Sequence, residues 1–430
     1  MPTSKKTIPL IMPTSIDIPP SSLAYKYKFL SRLSTQFGDS FYTANSKRFD
    51  NNCTDFLHAF QFEYPKTNLG YSYKTNYLPL FCSNANKLGL YAEVVSRFEL
   101  NLALHLGVKA ENIIFNGPAK SFADIKFALE AGIQINIDSI DEFKLIAKLR
   151  NSNPNTVFNL GIRCNFELNN IAPSRFGIMA PSEELQQLVK EINSWSSTHL
   201  KGLHTHICTP SKRVEEYSEM IHKVIDLADQ LFPESPPEQL NLGGGFFSRM
   251  PESLKQRWKG RIPEFGDYAK AIAQPMWARY GSDNSPELIL EPGLAVVADC
   301  MELVCRVTAL KQLRNKNIAI VSASIYDIKP TKNTANLPIE VITEEKGDNK
   351  QCWDITGYTC MEDDILYRGY RGELNVGDFV VFSNVGAYTL VLNPPFIKLP
   401  PPVIMIENDK PIKELRSCDT ETDFWQSFSF

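Results

Sequence analysis

The chain has 430 residues, of which 43% are hydrophobic and 22% are charged; these proportions are typical of a globular protein and exclude disordered and fibrous classes. The net charge of −4 provides no basic surface for a nucleic acid, and no apolar run approaches the roughly 18 residues that a membrane span requires. We therefore expect a protein with neither nucleic-acid nor membrane partners.

The N-terminus and the cysteines indicate the compartment. Residues 1–20 combine two lysines with a short apolar stretch, but prolines interrupt it and no small-residue cleavage site follows. We interpret this segment as a flexible leader or an edge strand rather than a signal peptide. The nine cysteines are scattered, and neither they nor the six histidines show the spacing of a metal site. Free thiols in a reducing compartment predict a cytoplasmic protein without a bound metal.

Short runs of β-branched and aliphatic residues recur along the first two thirds of the chain and predict strands that alternate with helices. The clearest helical pattern covers residues 211–231, where apolar side chains recur on one face. Eight strands of this kind favour a closed (β/α)8 barrel over an open doubly wound sheet, because the glycine-rich turn follows the seventh strand and not the first. The predicted strands are 69–76, 89–96, 113–118, 134–139, 158–164, 200–207, 238–245 and 287–293.

The pattern changes near residue 296, where strands follow one another with turn residues between them and little helical spacing. This indicates a second, all-β domain, either a sandwich or a Greek-key barrel. The domains expected are a segment 1–45 that joins the β domain through a strand at 40–45, a barrel at 46–295, and the β domain at 296–430. The predicted strands of the β domain are 295–310, 317–324, 338–343, 351–358, 364–368, 377–385 and 402–407.

Polar residues gather where the predicted barrel strands end. In a barrel of this type the active site is built at the carboxyl ends of the strands, and packing alone gives no reason to collect a lysine, histidines and acids there. We therefore treat these positions as candidate site residues. They are Lys74, Glu93, Asn116, Asp138, Arg163, His204, His206, Gly243, Gly244, Gly245 and Glu291.

Four of these features carry distinct chemistry, each with a simpler alternative. A lysine in the mouth of a barrel loses solvation, and its amine becomes a nucleophile toward aldehydes; Lys74 could equally be a surface lysine. Three glycines let backbone N–H groups approach a phosphate, although a flexible turn needs them too. Glu291 could keep a pyridine nitrogen protonated, or simply precede a Pro-Gly turn. His206 could stack on a flat cofactor, whereas His204 is interpreted as a core histidine. Together they indicate a pyridoxal phosphate site.

The order of the motifs resembles that of the diaminopimelate/ornithine decarboxylase family, the fold type III enzymes of pyridoxal phosphate. The resemblance covers about residues 40–400. In the barrel it rests on YSYKTN, which resembles the lysine motif, and on AEVVSRFEL, SRFG, GLHTHI, NLGGGF and LEPG. In the β domain it rests on the cysteine motif GYTCMEDDIL and on NVGAYT.

The resemblance implies a role for each matching residue. Lys74 would bind the cofactor covalently, His206 would stack on its ring, and Glu291 would pair with the pyridine nitrogen. The triple glycine would hold the phosphate with help from the Tyr388 hydroxyl, and Glu93 and Arg163 would lie near the cofactor. Enzymes of the family that the chain resembles form head-to-tail homodimers with shared sites. By this resemblance, Cys360 would come from the second subunit and would protonate the substrate carbon after carbon dioxide leaves.

Two departures from the family pattern affect the expected substrate. The arginine that usually follows EPG is Leu294 here, and the acid that usually follows the cysteine and binds a distal amino group is Met361. Asp364 could replace that acid. Loss of the acid favours a substrate whose distal nitrogen is blocked, such as the citrate-conjugated amino acids of siderophore pathways.

A citrate conjugate would need basic or polar partners, and Tyr326, Lys329 and Lys332 in IYDIKPTKN are the candidates by position. The main expectation is therefore a siderophore-type decarboxylase. The alternatives are a decarboxylase of free diaminopimelate, ornithine or lysine, an amino-acid racemase on the same barrel, and a non-catalytic regulatory relative.

Overall fold

The computed structural model describes residues 22–169, 171–207, 209–256, 258, 260–331, 335–345, 350–407 and 410–429. Within them the chain forms two compact units. The barrel unit comprises Phe49–Arg249 and Trp258–Val297, and the β unit comprises the described parts of Met1–Arg48, Met250–Arg257 and Ala298–Phe430. No helix in the described ranges has the length and apolar character needed to cross a membrane.

The strands are, in chain order, β1 Ser40–Ala44, β2 Thr67–Ser72, β3 Tyr91–Val94, β4 Ile113–Phe115, β5 Gln134–Ile137, β6 Phe158–Phe166, β7 Ile178–Ala180, β8 Thr198–His204, β9 Gln239–Asn241, β10 Glu287–Leu290, β11 Met301–Leu313, β12 Lys316–Val321, β13 Ile339–Ile342, β14 Gln351–Thr356, β15 Ile365–Gly372, β16 Phe379–Ser383, β17 Val403–Glu407 and β18 Lys410–Arg416.

The α-helices are α1 Leu23–Phe37, α2 Ser46–Glu63, α3 Pro79–Lys87, α4 Arg97–His105, α5 Phe122–Glu130, α6 Ile140–Ser152, α7 Glu183–Ser194, α8 Val214–Leu231, α9 Glu252–Lys255, α10 Phe265–Tyr280, α11 Leu294–Val297 and α12 Glu421–Trp425. Serine caps start four of the barrel helices, α4 to α7, because each serine hydroxyl accepts a backbone N–H of the first turn.

Eight parallel strands of the barrel unit close on themselves. The order is β2-β3-β4-β5-β6-β8-β9-β10, and β10 pairs in parallel with β2 to complete the ring. The short β7 pairs with the end of β6, outside this ring. Each predicted barrel strand overlaps an observed one, so the prediction of a (β/α)8 barrel is confirmed. The barrel strands carry fully buried aliphatic residues such as Ile135, Leu160 and Leu290.

The β unit is built on a sheet in which β1 lies between β11 and β17. The strand order is β15-β14-β12-β11-β1-β17-β18, and β16 joins β11 to β13. Helix α1 buries Phe29, Leu30 and Leu33 against sheet residues that include Phe41 and Phe379, and removal of this apolar surface from water stabilises the unit. An all-β second domain is thus confirmed in character, with α1 as an addition that the sequence analysis does not predict.

Two further differences concern boundaries in the C-terminal part. The sequence predicts that residues 295–300 start a strand, but they form the end of α11 and a 3₁₀ turn at Ala298–Cys300 before β11 begins. The segment AVVADC is apolar enough for either state, and periodicity cannot distinguish a short buried helix from a strand. Strand β18 was missed because its sequence, KPIKELR, is mostly charged and lacks alternation of apolar residues.

Candidate active site

The candidate residues of the barrel lie together at the carboxyl ends of its strands. Lys74 sits in the 3₁₀ turn Tyr73–Thr75 directly after β2, and Glu93 lies in β3. His206 follows β8, the triple glycine follows β9, and Glu291 follows β10. The closed ring brings these positions to one rim, because parallel strands all end on the same side.

Lys74 forms an ion pair with Glu93. The lysine side chain is 32% exposed whereas the glutamate is fully buried, so the ammonium lies at the boundary between the barrel interior and its mouth. The second carboxylate oxygen of Glu93 accepts a hydrogen bond from Asn116 Nδ2 at 3.0 Å. The pair therefore fixes Lys74 at the rim and leaves no charge of Glu93 unsatisfied.

Glu291 is the most densely hydrogen-bonded carboxylate of this rim. Its Oε1 accepts from Asn116 Nδ2 and from Asn241 Nδ2, both at 2.8 Å, and its Oε2 lies 3.2 Å from His204 Nε2. Burial alone would raise the pKa of Glu291, but the charge and hydrogen bond of His204 and the charge of Lys74 outweigh burial and hold that pKa well below its usual range. Glu291 is thus a carboxylate that stays ionised inside the barrel.

His206 is a neutral imidazole with a defined tautomer. Its Nδ1 accepts the backbone N–H of Gly244 at 2.9 Å, so the ring proton resides on Nε2. Burial, followed by the positive charge of Lys74, lowers the pKa of His206 to about 3. A flat, uncharged ring therefore stands directly beside the glycine turn.

The triple glycine is required by close packing of the backbone. A Cβ on Gly243 would lie 2.4 Å from His206 Nδ1, and one on Gly244 would lie 2.3 Å from the carbonyl oxygen of Glu291. Gly245 has a φ of +94°, in the region that disfavours side chains, and a Cβ there would lie 2.5 Å from the Ile207 carbonyl oxygen. The turn is a tight backbone cradle rather than a flexible linker, and such N–H-rich turns bind anions.

Replacement of Gly244 by alanine is expected to lower the free energy of unfolding by about 1–3 kcal/mol, because the new methyl group must displace the Glu291 backbone. Gly266→Ala in α10 is the control, since no atom lies within 4 Å of a Cβ there and its effect should be within about 1 kcal/mol of zero. Urea unfolding of both variants measures the difference. Equal stability of the two would contradict the tight cradle.

Arg163 and Asp138 form a second ion pair at the rim. Arg163 Nη1 lies 3.2 Å from Asp138 Oδ1, and the guanidinium stacks 4.7 Å from the ring centre of Phe176, a residue of the SRFG motif. Lys120 is buried against Glu142, with Nζ–Oε1 and Nζ–Oε2 distances of 2.7 and 2.9 Å. Arg163 is therefore held by partners from two different segments.

The candidates of the β unit occupy its turns. Cys360 is exposed in the turn between β14 and β15, and the Tyr326 hydroxyl lies 3.6 Å from Met361 Sδ, the residue after that cysteine. Tyr388 is 40% exposed and has a φ of +55°, a backbone conformation that costs of order 1 kcal/mol and tends to persist at functional sites. These turns present a thiol and a phenol to solvent on the isolated chain.

The sequence predicts that Asp364 binds the distal amino group of the substrate, but its carboxylate is hydrogen-bonded within the protein. It is buried, its Oδ1 accepts the N–H of Ile325 at 2.7 Å, and its Oδ2 accepts both the N–H and the hydroxyl of Thr359 at 3.0 and 2.6 Å. Residues 357–364 are a turn and not a strand, so the alternation of strand faces does not apply to them. We therefore assign Asp364 to the stability of this turn rather than to substrate binding.

Lys329 is also buried, and its Nζ donates to the carbonyl oxygen of Ala335 at 2.9 Å. This contact ties the ammonium to its own loop, which weakens the case for Lys329 as a partner of substrate carboxylates. Lys332, the other lysine predicted for that role, lies outside the described residues.

Several polar residues that organise the rim are not among the candidates deduced from the sequence. Asn241 and Asn136 lie within barrel strands, where Asn241 donates to Glu291 and Asn136 donates to Asn116 Oδ1 at 2.8 Å. Their signal in the sequence is an asparagine within a short strand, in QINI and QLN. His204, interpreted as a core histidine, is indeed buried, but its ring contacts the Glu291 carboxylate directly.

The chain matches known proteins along most of its length. The family model of the pyridoxal-dependent decarboxylase pyridoxal-binding domain matches residues 50–298. The diaminopimelate decarboxylase of Methanocaldococcus jannaschii is 26% identical over 407 residues, which cover 91% of each chain. The probable chloroplastic diaminopimelate decarboxylase of Oryza sativa subsp. japonica is 27% identical over 84% of this chain and 74% of its own. A crystal structure of the M. jannaschii enzyme with L-lysine has a TM-score of 0.82 at 25% identity, covering 93% of this chain and 94% of that one.

Proposed function

Because the chain belongs to the family of pyridoxal-dependent decarboxylases, we propose that it removes the α-carboxylate of a free diamino acid of the diaminopimelate, lysine or ornithine type. The chain is an amino-acid decarboxylase, and its cofactor is pyridoxal 5′-phosphate. The observation that carries the proposal is the continuous polar chain from Lys74 through Glu93 and Asn116 to Glu291, in a barrel whose relatives over 91% of this chain's length include a diaminopimelate decarboxylase.

The residues of the barrel rim fit this cofactor. A carboxylate offers about four acceptor sites, and the three hydrogen bonds to Glu291 leave room for a pyridinium N–H. The neutral ring of His206 provides a flat surface, the glycine cradle suits a phosphate, and Lys74 supplies the amine for the aldehyde. Each function of the cofactor thus has a residue of matching chemistry.

When bound, the cofactor supplies an electron sink for the bond that breaks. The protein residues then have separate tasks. Glu291, ionised in its buried site, holds a proton on the ring nitrogen, and the hydrogen bonds of Asn241 and His204 keep its carboxylate in place. Glu93 orients the Lys74 amine. The preorganised charges avoid the cost of reorienting water during the reaction.

A second candidate substrate is an amino acid whose distal nitrogen is blocked, such as a citrate conjugate. Two observations favour it: Met361 stands where the family has an acid, and the neighbouring Asp364 carboxylate is buried and hydrogen-bonded to Ile325 and Thr359. A free distal ammonium would then lack the expected acidic partner in this turn. The buried Lys329 offers little support for binding citrate carboxylates.

Carbon dioxide release separates the two candidates. The cofactor-loaded protein is assayed with diaminopimelate, ornithine, lysine, arginine and diaminopropionate, each free and as its citrate conjugate. Under the proposal, at least one free diamino acid is turned over with the highest kcat/KM. Release from conjugates alone would reject free diamino acids in favour of the second candidate, and release from none would reject both.

We further propose a homodimer with shared sites, in which Cys360 of one subunit serves the barrel of the other. Cys360→Ala is expected to lower turnover about 10²–10⁴-fold, the usual effect of losing a general acid, and to divert product toward a wrongly protonated form. Cys352→Ala, at another exposed cysteine of the same unit, is the control and should be neutral. Product analysis with both variants checks this, and an unchanged rate and product for Cys360→Ala would assign the proton to another residue.

A further inference from the structure

Leu294 removes a positive charge from the site that binds the cofactor phosphate. The related enzymes that the sequence resembles carry an arginine at this position, whereas Leu294 opens the short helix α11 with an apolar side chain. A phosphate carries nearly two negative charges at neutral pH, and a partly buried anion without a cationic partner is costly. A different cation is therefore needed near the glycine cradle.

Lys212 places an ammonium at that cradle. Its Nζ donates to the carbonyl oxygen of Gly245, the last glycine of the turn, at 2.7 Å. An ammonium has three N–H donors, so the same group can contact this carbonyl and a phosphate oxygen at once. Lys212 and Gly245 are 33 positions apart in the chain, and the barrel fold brings them together.

The loop that carries Lys212 is held from both sides. The N–H of Lys212 donates to Thr209 Oγ1 at 3.0 Å, and its carbonyl oxygen accepts the Tyr268 hydroxyl at 2.6 Å. Glu216, at the start of α8, accepts the hydroxyl groups of Thr209 and Ser211, each at 2.5 Å. Lys212 itself has a φ of +47°, a conformation that a non-glycine residue adopts only when its surroundings enforce it.

A cluster of three aromatic residues, Tyr217, Phe246 and Tyr268, contacts both this loop and the glycine cradle. Phe246, the residue after the glycines, packs on Tyr217 and Tyr268 with ring centres 4.9 and 5.1 Å apart. The Tyr217 hydroxyl donates to the Gly244 carbonyl oxygen at 3.3 Å, and the Tyr268 hydroxyl donates to Lys212. The position of the lysine relative to the turn is thus set by packing and not by chance orientation of a surface side chain.

Nearby arginines have carboxylate partners of their own. Arg163 pairs with Asp138 at 3.2 Å, Arg213 Nε pairs with Glu216 at 3.2 Å, and Arg249 pairs with Asp55 at 2.7 Å. Among the residues that the structure describes, Lys212 is the cation with a hydrogen bond to the glycine cradle. We propose that Lys212 supplies the positive charge for the cofactor phosphate in place of the arginine that Leu294 replaces.

Binding of two forms of the cofactor tests this without any substrate, so the result is independent of the proposed substrate. Apoprotein is titrated with pyridoxal phosphate and with pyridoxal, which lacks the phosphate. Lys212→Met should weaken pyridoxal phosphate binding about ten- to a hundredfold, the scale of a hydrogen bond to a charged group, and leave pyridoxal binding unchanged. Lys223→Met on α8, whose lysine pairs with Glu219, is the matched control and should change neither affinity.

A second pair of variants guards against misfolding. Lys212→Gln keeps an N–H donor for the Gly245 carbonyl oxygen but carries no charge, and it should show the same selective loss. The double variant Lys212→Met/Leu294→Arg should recover affinity for pyridoxal phosphate, because a positive charge returns at the position where the family pattern has its arginine. Unchanged pyridoxal phosphate affinity in both single variants, or an equal loss for pyridoxal and pyridoxal phosphate, would overturn the proposal.

Discussion

Lys74→Arg is expected to abolish decarboxylation, on the order of a 10³-fold loss or more, while the barrel remains folded. Arginine preserves the positive charge beside the fully buried Glu93, so no carboxylate is left without a partner. The guanidinium is always protonated and cannot act as a nucleophile, so the covalent link to the cofactor is lost. The measurements are carbon dioxide release and the visible absorbance of the bound cofactor.

The arginine variant is more informative than Lys74→Ala. Removing the cation would leave Glu93 charged and buried, which costs about 3–5 kcal/mol and confuses loss of chemistry with loss of structure. Lys87→Arg, at the exposed end of α3, is the matched control and should keep full activity. If Lys74→Arg retained both turnover and cofactor absorbance, the nucleophile would have to be another residue.

Glu291→Gln is expected to reduce turnover by about a hundredfold or more, the scale on which a single preorganised electrostatic group acts. The neutral amide cannot hold a proton on the pyridine nitrogen, and its NH₂ group must face either His204 or the amides of Asn116 and Asn241, which all donate toward this position. The cofactor should still bind, because Lys74 and the glycine cradle are unchanged. Turnover and cofactor affinity are measured separately.

Glu287→Gln provides the control on the same strand. Glu287 lies at the amino end of β10, where its Oε2 accepts the Tyr91 hydroxyl at 2.9 Å, and burial raises its pKa. It is thus a partly buried glutamate remote from the carboxyl-end rim, and its replacement should leave kcat unchanged. Equal losses of turnover in the two variants would mean that the strand, and not the Glu291 charge, matters.

The depressed pKa of Glu291 also predicts how the stability of its variant depends on pH. A carboxylate whose pKa is lower in the folded state stabilises that state above the unfolded pKa, about 4.3 for glutamate, and this contribution is lost as pH falls toward the folded value. The stability difference between wild type and Glu291→Gln should therefore be largest at neutral pH and shrink below about pH 4. Urea unfolding at several pH values measures it; a difference that grows in acid would contradict the ionised state.

The barrel, the character of the second domain and the residues on the rim can be deduced from the amino-acid sequence. Parallel strands that are buried on both faces appear as short, continuous apolar runs, and the connecting helices show amphipathic spacing, so all eight strands could be located. Lys74, His206, the triple glycine and Glu291 follow strand ends, and the topology of a closed barrel then places them at one rim. The combined chemistry of these groups indicates the cofactor, and the order of the motifs that contain them indicates the family.

The pairing of the polar groups on the rim, in contrast, depends on how distant segments pack against one another. The hydrogen bonds of Asn241 and His204 to Glu291 join residues 50 and 87 positions apart, and a sequence pattern carries no information on such separations. The role of Asp364 also depends on the tertiary structure. Its position in the sequence resembles that of a substrate ligand, but its carboxylate accepts three hydrogen bonds, from Ile325 and Thr359.

Lys212 shows the same limit most clearly. The chain has 45 lysines and arginines, and Lys212 is one of them. It lies in a loop before a helix, and nothing in the local sequence distinguishes it from the others. Closure of the barrel puts its ammonium 2.7 Å from the Gly245 carbonyl oxygen. Under our proposal, this is where the cofactor phosphate needs the positive charge that Leu294 does not provide. Local patterns determine elements and their chemistry, whereas the choice of partner depends on distances that only packing between distant segments sets.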